Sequence, residues 1–117
     1  MLHPFDDFPV HQSSAPLMHL ASDAPGVYDR YFYNGHDDKG ELFFAVAFGV
    51  YPNKQVMDAA FCVSFGGIQH SVRASRQADR DRTRLEVGAI SIHVVRPLLE
   101  HRVVVDNRFG VSADITW

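Results

Sequence analysis

Apolar residues along this chain recur mostly with a period of two, and the longest such run frames the rest. Residues 42–51 (LFFAVAFGVY) are uncharged and rich in β-branched and aromatic side chains, between the turn signals Asp37-Asp38-Lys39-Gly40 and Pro52-Asn53. That pattern predicts a strand. Side chains alternate across a strand, so Leu42, Phe44, Val46, Phe48 and Val50 share one face and Phe43, Ala45, Ala47, Gly49 and Tyr51 the other. Neither face is polar. The expectation is a central strand with a packed interior on one side and a covering layer on the other.

The neighbouring runs follow the same rhythm. Residues 28–36 predict a first strand; a four-residue loop would set His36 opposite Glu41, Tyr33 opposite Phe44 and Tyr31 opposite Val46. Residues 56–65 and 68–75 predict a hairpin about the two-residue turn Gly66-Gly67. In that hairpin Phe65 faces Ile68, Val63 faces His70 and Phe61 faces Val72, while the opposite face gathers Cys62, Ser71, Arg73 and Asp58. Residues 77–82 alternate in charge and predict a solvated surface turn. Leu85 and Val87 turn at Gly88-Ala89 and return through Ile90, Ile92 and Val94; Arg96-Pro97 breaks the ladder, residues 98–106 form the next strand, and the last runs from Val111 to Trp117. About eight sequential strands result, the spacing of an antiparallel meander, barrel or sandwich.

Residues 1–27 differ. Pro4, Pro9, Pro16 and Pro25 with Ser13, Ser14 and Ser22 forbid a long helix or central strand. Phe5, Phe8, Val10, Leu17, Met18 and Leu20 are too many apolar residues for a free linker, so this arm is expected to lie across the sheet and cover one face, with a short helical turn near residues 16–21. The last strand stops in mid-alternation at Trp117. Either it closes a barrel or the chain is the front part of a longer protein.

Composition narrows the function classes. At 117 residues there is room for one domain, and a net charge of -3 gives no basic footprint for nucleic acid. The lone Cys62 allows no internal disulfide, the acidic start lacks a secretory pattern, and no run is long enough for a membrane span. A cytoplasmic protein is expected. No phosphate-binding loop, dinucleotide glycine pattern, serine-nucleophile elbow or zinc spacing occurs; no cofactor is called for, and His36 beside Asp37 and Asp38 makes a poor metal site.

Taken together, Tyr28-Asp-Arg-Tyr-Phe-Tyr-Asn34 with His36, Gly49-Val-Tyr-Pro-Asn53 with Asp58, Val72-Arg-Ala-Ser-Arg76 and Asp114-Ile-Thr-Trp117 resemble the opening segment of uncharacterised bacterial proteins related to the AttH and carotenoid 1,2-hydratase group. The resemblance runs from about His11 to the C-terminus. That group is similar to tocopherol cyclase and to lipocalin-like cyclases, with two lipocalin-like β-domains and apolar cavities. It implies an all-β, antiparallel lipocalin-like barrel or half-barrel over residues 28–117, preceded by the Pro-rich arm, with the usual C-terminal β-domain missing; as a protein partner, a homodimer or that missing β-domain is expected.

It also implies a hydrophobic small molecule, an isoprenoid, steroid or acyl lipid, as ligand, with acid-catalysed hydration or cyclisation as the reaction if there is one. His70 and Asp58 are the candidate proton donors, and Tyr31, Tyr33, His36, Phe44, Phe61 and Arg73 the candidate ligand contacts. Each has a plainer reading. His70, on the apolar face, is expected to be buried with one hydrogen bond, Asp58 to pair with Arg73, and the core to be filled by side chains. A non-catalytic interaction domain, docking a second β-domain or another copy of itself, is the alternative function.

Overall fold

The computed structural model describes residues 1–10 and 14–117; His11, Gln12 and Ser13 of the arm, and with them the start of the resemblance, lie outside the described residues. Eight strands follow the arm: β1 (Asp29–His36), β2 (Leu42–Tyr51), β3 (Val56–Phe65), β4 (Ile68–Gln77), β5 (Glu86–Val87), β6 (Ile90–Arg96), β7 (Glu100–Val105) and β8 (Ala113–Thr116). They form an all-β antiparallel meander in two four-stranded sheets, ordered β1-β2-β3-β4 and β5-β6-β7-β8. Among the described residues no strand pairing closes the two sheets into a barrel.

The β3–β4 hairpin has the expected register, Phe65 with Ile68, Val63 with His70 and Phe61 with Val72. Gly66 and Gly67 both have positive φ, 60° and 78°, the pair of left-handed residues that a tight turn matching strand twist needs. The β1–β2 register differs from expectation by two residues: Tyr33 pairs with Val46, Tyr31 with Phe48 and His36 with Phe43. The cause is the loop. Asp37 Oδ1 accepts the N–H groups of Glu41 and Leu42 at 2.7 and 3.0 Å, and the Asp37 N–H donates to the Leu42 carbonyl at 3.1 Å, so the loop takes in Glu41 as well. A two-residue slip keeps every side chain on its predicted face.

Val46, Phe48 and Val50 of β2, Met57, Ala59 and Phe61 of β3 and Val72 of β4 pack against Leu85, Val87, Ile90, Ile92, Val103 and Val105 from the second sheet. That sandwich is uneven. β2, β3 and β4 have ten residues each, whereas β6 has seven, β7 six and β8 four. The shorter sheet covers only one half of the longer one.

Side chains join the sheets where no ladder does. On the β4–β5 side the Arg76 guanidinium donates to the carbonyls of Glu86 at 2.6 Å and Arg84 at 3.0 Å. On the β1–β7 side the arm fills the seam. Arg82 is 1% exposed and donates to the carbonyls of Ala15 at 2.7 Å and Phe5 at 2.8 Å, with its guanidinium 5.3 Å from the centre of the Phe5 ring. Residues 77–82 are thus not wholly a solvated turn, because the arm needs a donor there. Val10 sits in the core at φ 59°, a backbone region costly for a β-branched residue; its N–H donates to Asp29 Oδ2 at 2.9 Å.

The expected helical turn near residues 16–21 is absent. Leu17 instead bridges Asp81, and Met18 N–H donates to the Arg80 carbonyl at 2.7 Å. The helical turn of the arm lies earlier, a 3-10 segment at Pro4–Asp7 begun by His3 and Pro4. The arm also leaves the outer face of the first sheet uncovered. Phe32 and Phe43 remain 57% and 47% exposed there, which corrects the expectation of a covering layer.

Candidate functional site

β1 turns Tyr31 and Tyr33 inward, toward β7 and the arm. The Tyr31 hydroxyl donates to the Asp7 carbonyl. The Tyr33 hydroxyl lies 2.5 Å from His101 Nδ1, and His101 Nε2 lies 2.8 Å from Asp7 Oδ2, which also accepts the Leu98 N–H at 2.6 Å. His101 thus bridges Tyr33 and Asp7 through its two ring nitrogens. Burial first, then the neighbouring Tyr33 and Asp7, push Tyr31 far above the ordinary phenol range. Burial and then Asp7 do the same to Tyr33. Both phenols are therefore neutral donors. The chain of Tyr33, His101 and Asp7 locks the arm to both sheets.

Beyond Tyr33 the sandwich opens. Trp117 packs on Tyr33 with ring centres 5.0 Å apart and meets Phe44 edge-on at 5.4 Å. The Phe44 ring lies over Gly35, where an added Cβ would stand 2.7 Å from Cε1; only glycine leaves room for the ring in this position. Phe44 pairs with Val63, Leu42 with Phe65, and Phe65 in turn with Ile68. Phe65 and Ile68 are each 60% exposed and Trp117 42%. Inward-facing apolar residues thus line an open end, while deeper in the same face Val46, Phe48 and Val50 are fully buried.

The sequence-predicted residues divide between two faces. Tyr31, Tyr33, Phe44, Phe61 and His70 face inward; Asp58, Arg73 and His36 face outward. Tyr31, Tyr33 and Phe44 are brought together, whereas Phe61, 2% exposed, is core. His70 pairs with Val63 at the open end and is exposed, not buried, because the second sheet does not reach it. Asp58 is also exposed, and no ion pair among the described residues joins it to Arg73. Opposite faces separate Asp58 from His70, so one ligand does not meet both.

Asp7, His101 and Arg82 carry the geometry without having been singled out. His101 had a signal, being the polar member of the alternation His101, Val103, Val105; Asp7, 94 residues from its partner, had none. Among the described residues no three His, Cys, Asp or Glu side chains group as metal ligands, and no helix is long and apolar enough to cross a membrane.

No curated protein and no solved structure matches the chain. A family model does, over residues 2–117. The chain belongs to that family, a family of unknown function designated DUF8625.

Proposed function

We propose that this chain binds a hydrophobic small molecule of isoprenoid, steroid or acyl type at the open end of the sandwich. One observation carries the reading: Phe65, Ile68 and Trp117, with Phe44 and Val63 between them, form a connected apolar surface on the inward face that the second sheet leaves uncovered. The ligand class comes from the resemblance to the hydratase and cyclase group. Deeper in the sandwich the space is filled by side chains, so a ligand would enter at the mouth and not thread a lumen. Covering ~200 Å² of apolar surface would contribute about 5 kcal/mol before the costs of association.

Were hydration or cyclisation to occur there, its proton would come from His70, the candidate donor on that face. A cytoplasmic location is part of this proposal. The interaction-domain reading is favoured by a separate observation, the exposed outer face of the first sheet.

Trp117, the sole tryptophan, reports on the mouth directly. Titration with anilinonaphthalene sulfonate, followed by displacement with geranylgeraniol or palmitate, is expected to saturate and to shift Trp117 emission to the blue. Phe65→Asp and Ile68→Asp should each weaken uptake at least about tenfold. Non-saturable uptake, or uptake unchanged in both variants, sinks the proposal.

A further inference from the structure

The outer face of the first sheet carries a surface that neither the sandwich nor the arm uses. Register lays it out in rows: Arg30, Gly49, Asp58 and Ser75; then Phe32, Ala47, Ala60 and Arg73; then Asn34, Ala45, Cys62 and Ser71. Within these rows the large residues stand on β1 and the small ones on β2, while Phe43 and Tyr51 mark the two ends of the same face of β2. The result is a shallow groove of about 530 Å³ over Ala47, Gly49 and Ala60, with Arg30 on one side and Asp58 and Arg73 toward the other. Phe32, 57% exposed, stands beside it.

Arg76, Arg84, Arg96, Arg102 and Arg108 each reach a carboxylate within 4.0 Å. On the outer face neither Arg30 nor Asp58 belongs to any ion pair among the described residues. They share a row two strands apart, about 9–10 Å between strand axes, with the Asp58 carboxylate lying over Gly49. Within one copy no ion pair joins them.

We infer that this face is the interface of a homodimer whose two-fold axis runs along β2. Such an axis lays β1 of one copy over β3 of the other. Arg30 then stands opposite the second copy's Asp58 and Phe32 over the second copy's Ala60, each contact occurring twice as an isologous interface requires. Protrusion meets depression in the Phe32 row and cation faces carboxylate in the Arg30 row. Aligned sheets pack about 10 Å apart, which leaves space for a phenyl ring above an alanine. Three strands of this length project roughly 400–450 Å² per copy, about half of a standard-size interface. The dimer is therefore weak and concentration-dependent.

Sedimentation velocity of the full chain from about 10 µM to about 1 mM spans the range of a weak interface. The expected result is a monomer–dimer equilibrium that Arg30→Asp and Asp58→Arg each weaken about tenfold and that the double exchange restores. Ala60→Lys, which fills the depression from an outward-facing position, gives the same weakening without touching either charge, and thermal melts check that each variant is folded. A monomer at every concentration overturns the inference. So does a dimer indifferent to these variants but lost in Phe65→Asp, which would put the contact at the open end, and so does a double exchange that fails to restore association.

Discussion

The two ends of the first sheet are written in the same alternation and end in different environments. At one end Val46, Phe48 and Val50 are fully buried; at the other, Phe65 and Ile68 on the same face are 60% exposed. Nothing in the side chains themselves separates the two ends. The difference comes from the length of the opposing strands, so burial here is a property of the second sheet as much as of the first. Breaking the covered end should therefore cost far more than breaking the open one. Phe48→Ala is expected to lose about 3–5 kcal/mol in urea unfolding, and Phe65→Ser to stay within about 0.5 kcal/mol. Equal losses would mean that the open end is covered in solution.

The next effect in size concerns the arm, which closes the covered end. Arg82 supplies donors to the carbonyls of Phe5 and Ala15 where no strand can pair. Arg82→Met keeps much of the apolar stem and removes those donors, at an expected cost of about 2–3 kcal/mol. Limited proteolysis distinguishes release of the arm from general loosening: cleavage should appear first within residues 1–27 while the sheets stay protected. Cleavage that begins in the strands would give Arg82 a core role instead.

How far the sequence reveals this arrangement follows from the range of each interaction. The β3–β4 register was legible because Gly66-Gly67 fixes it within two residues of the turn. The β1–β2 register lies two residues from the one turn preference predicts, because the loop depends on the Asp37 carboxylate and not on backbone turn preference alone. The faces survive that shift, since alternation is indifferent to a slip of two. Tyr31, Tyr33 and Phe44 were legible as inward-facing aromatics, but Asp7 was not, because its role depends on where an irregular arm returns after a long loop of chain. The exposure of His70 was hidden for a further reason: alternation reports which face a residue occupies and says nothing of whether a second layer extends far enough to cover it.

The smallest effect sharpens the comparison at the open end. There the β1–β2 loop has no opposing sheet to support it, and Asp37 holds it through the Leu42 and Glu41 N–H groups. Those hydrogen bonds, Leu42 foremost, hold the Asp37 carboxyl below its ordinary value of 3.8. A depressed folded-state value means that the stabilisation is present above the unfolded value and is lost as pH falls through the folded one. Amide exchange measured in the acid range should therefore show, after correction for intrinsic rates, the Glu41 and Leu42 amides losing protection below about pH 3.8, the ordinary carboxyl value, while the amides around Phe48 do not. Asp37→Asn keeps an acceptor oxygen without the ionisation and should flatten that acid dependence; Asp37→Ala should remove the protection at every pH. If the wild-type loop and the β2 core lost protection together, the open end would not be an independent unit, and exposure of Phe65 and Ile68 would have to be explained by something other than the reach of the second sheet.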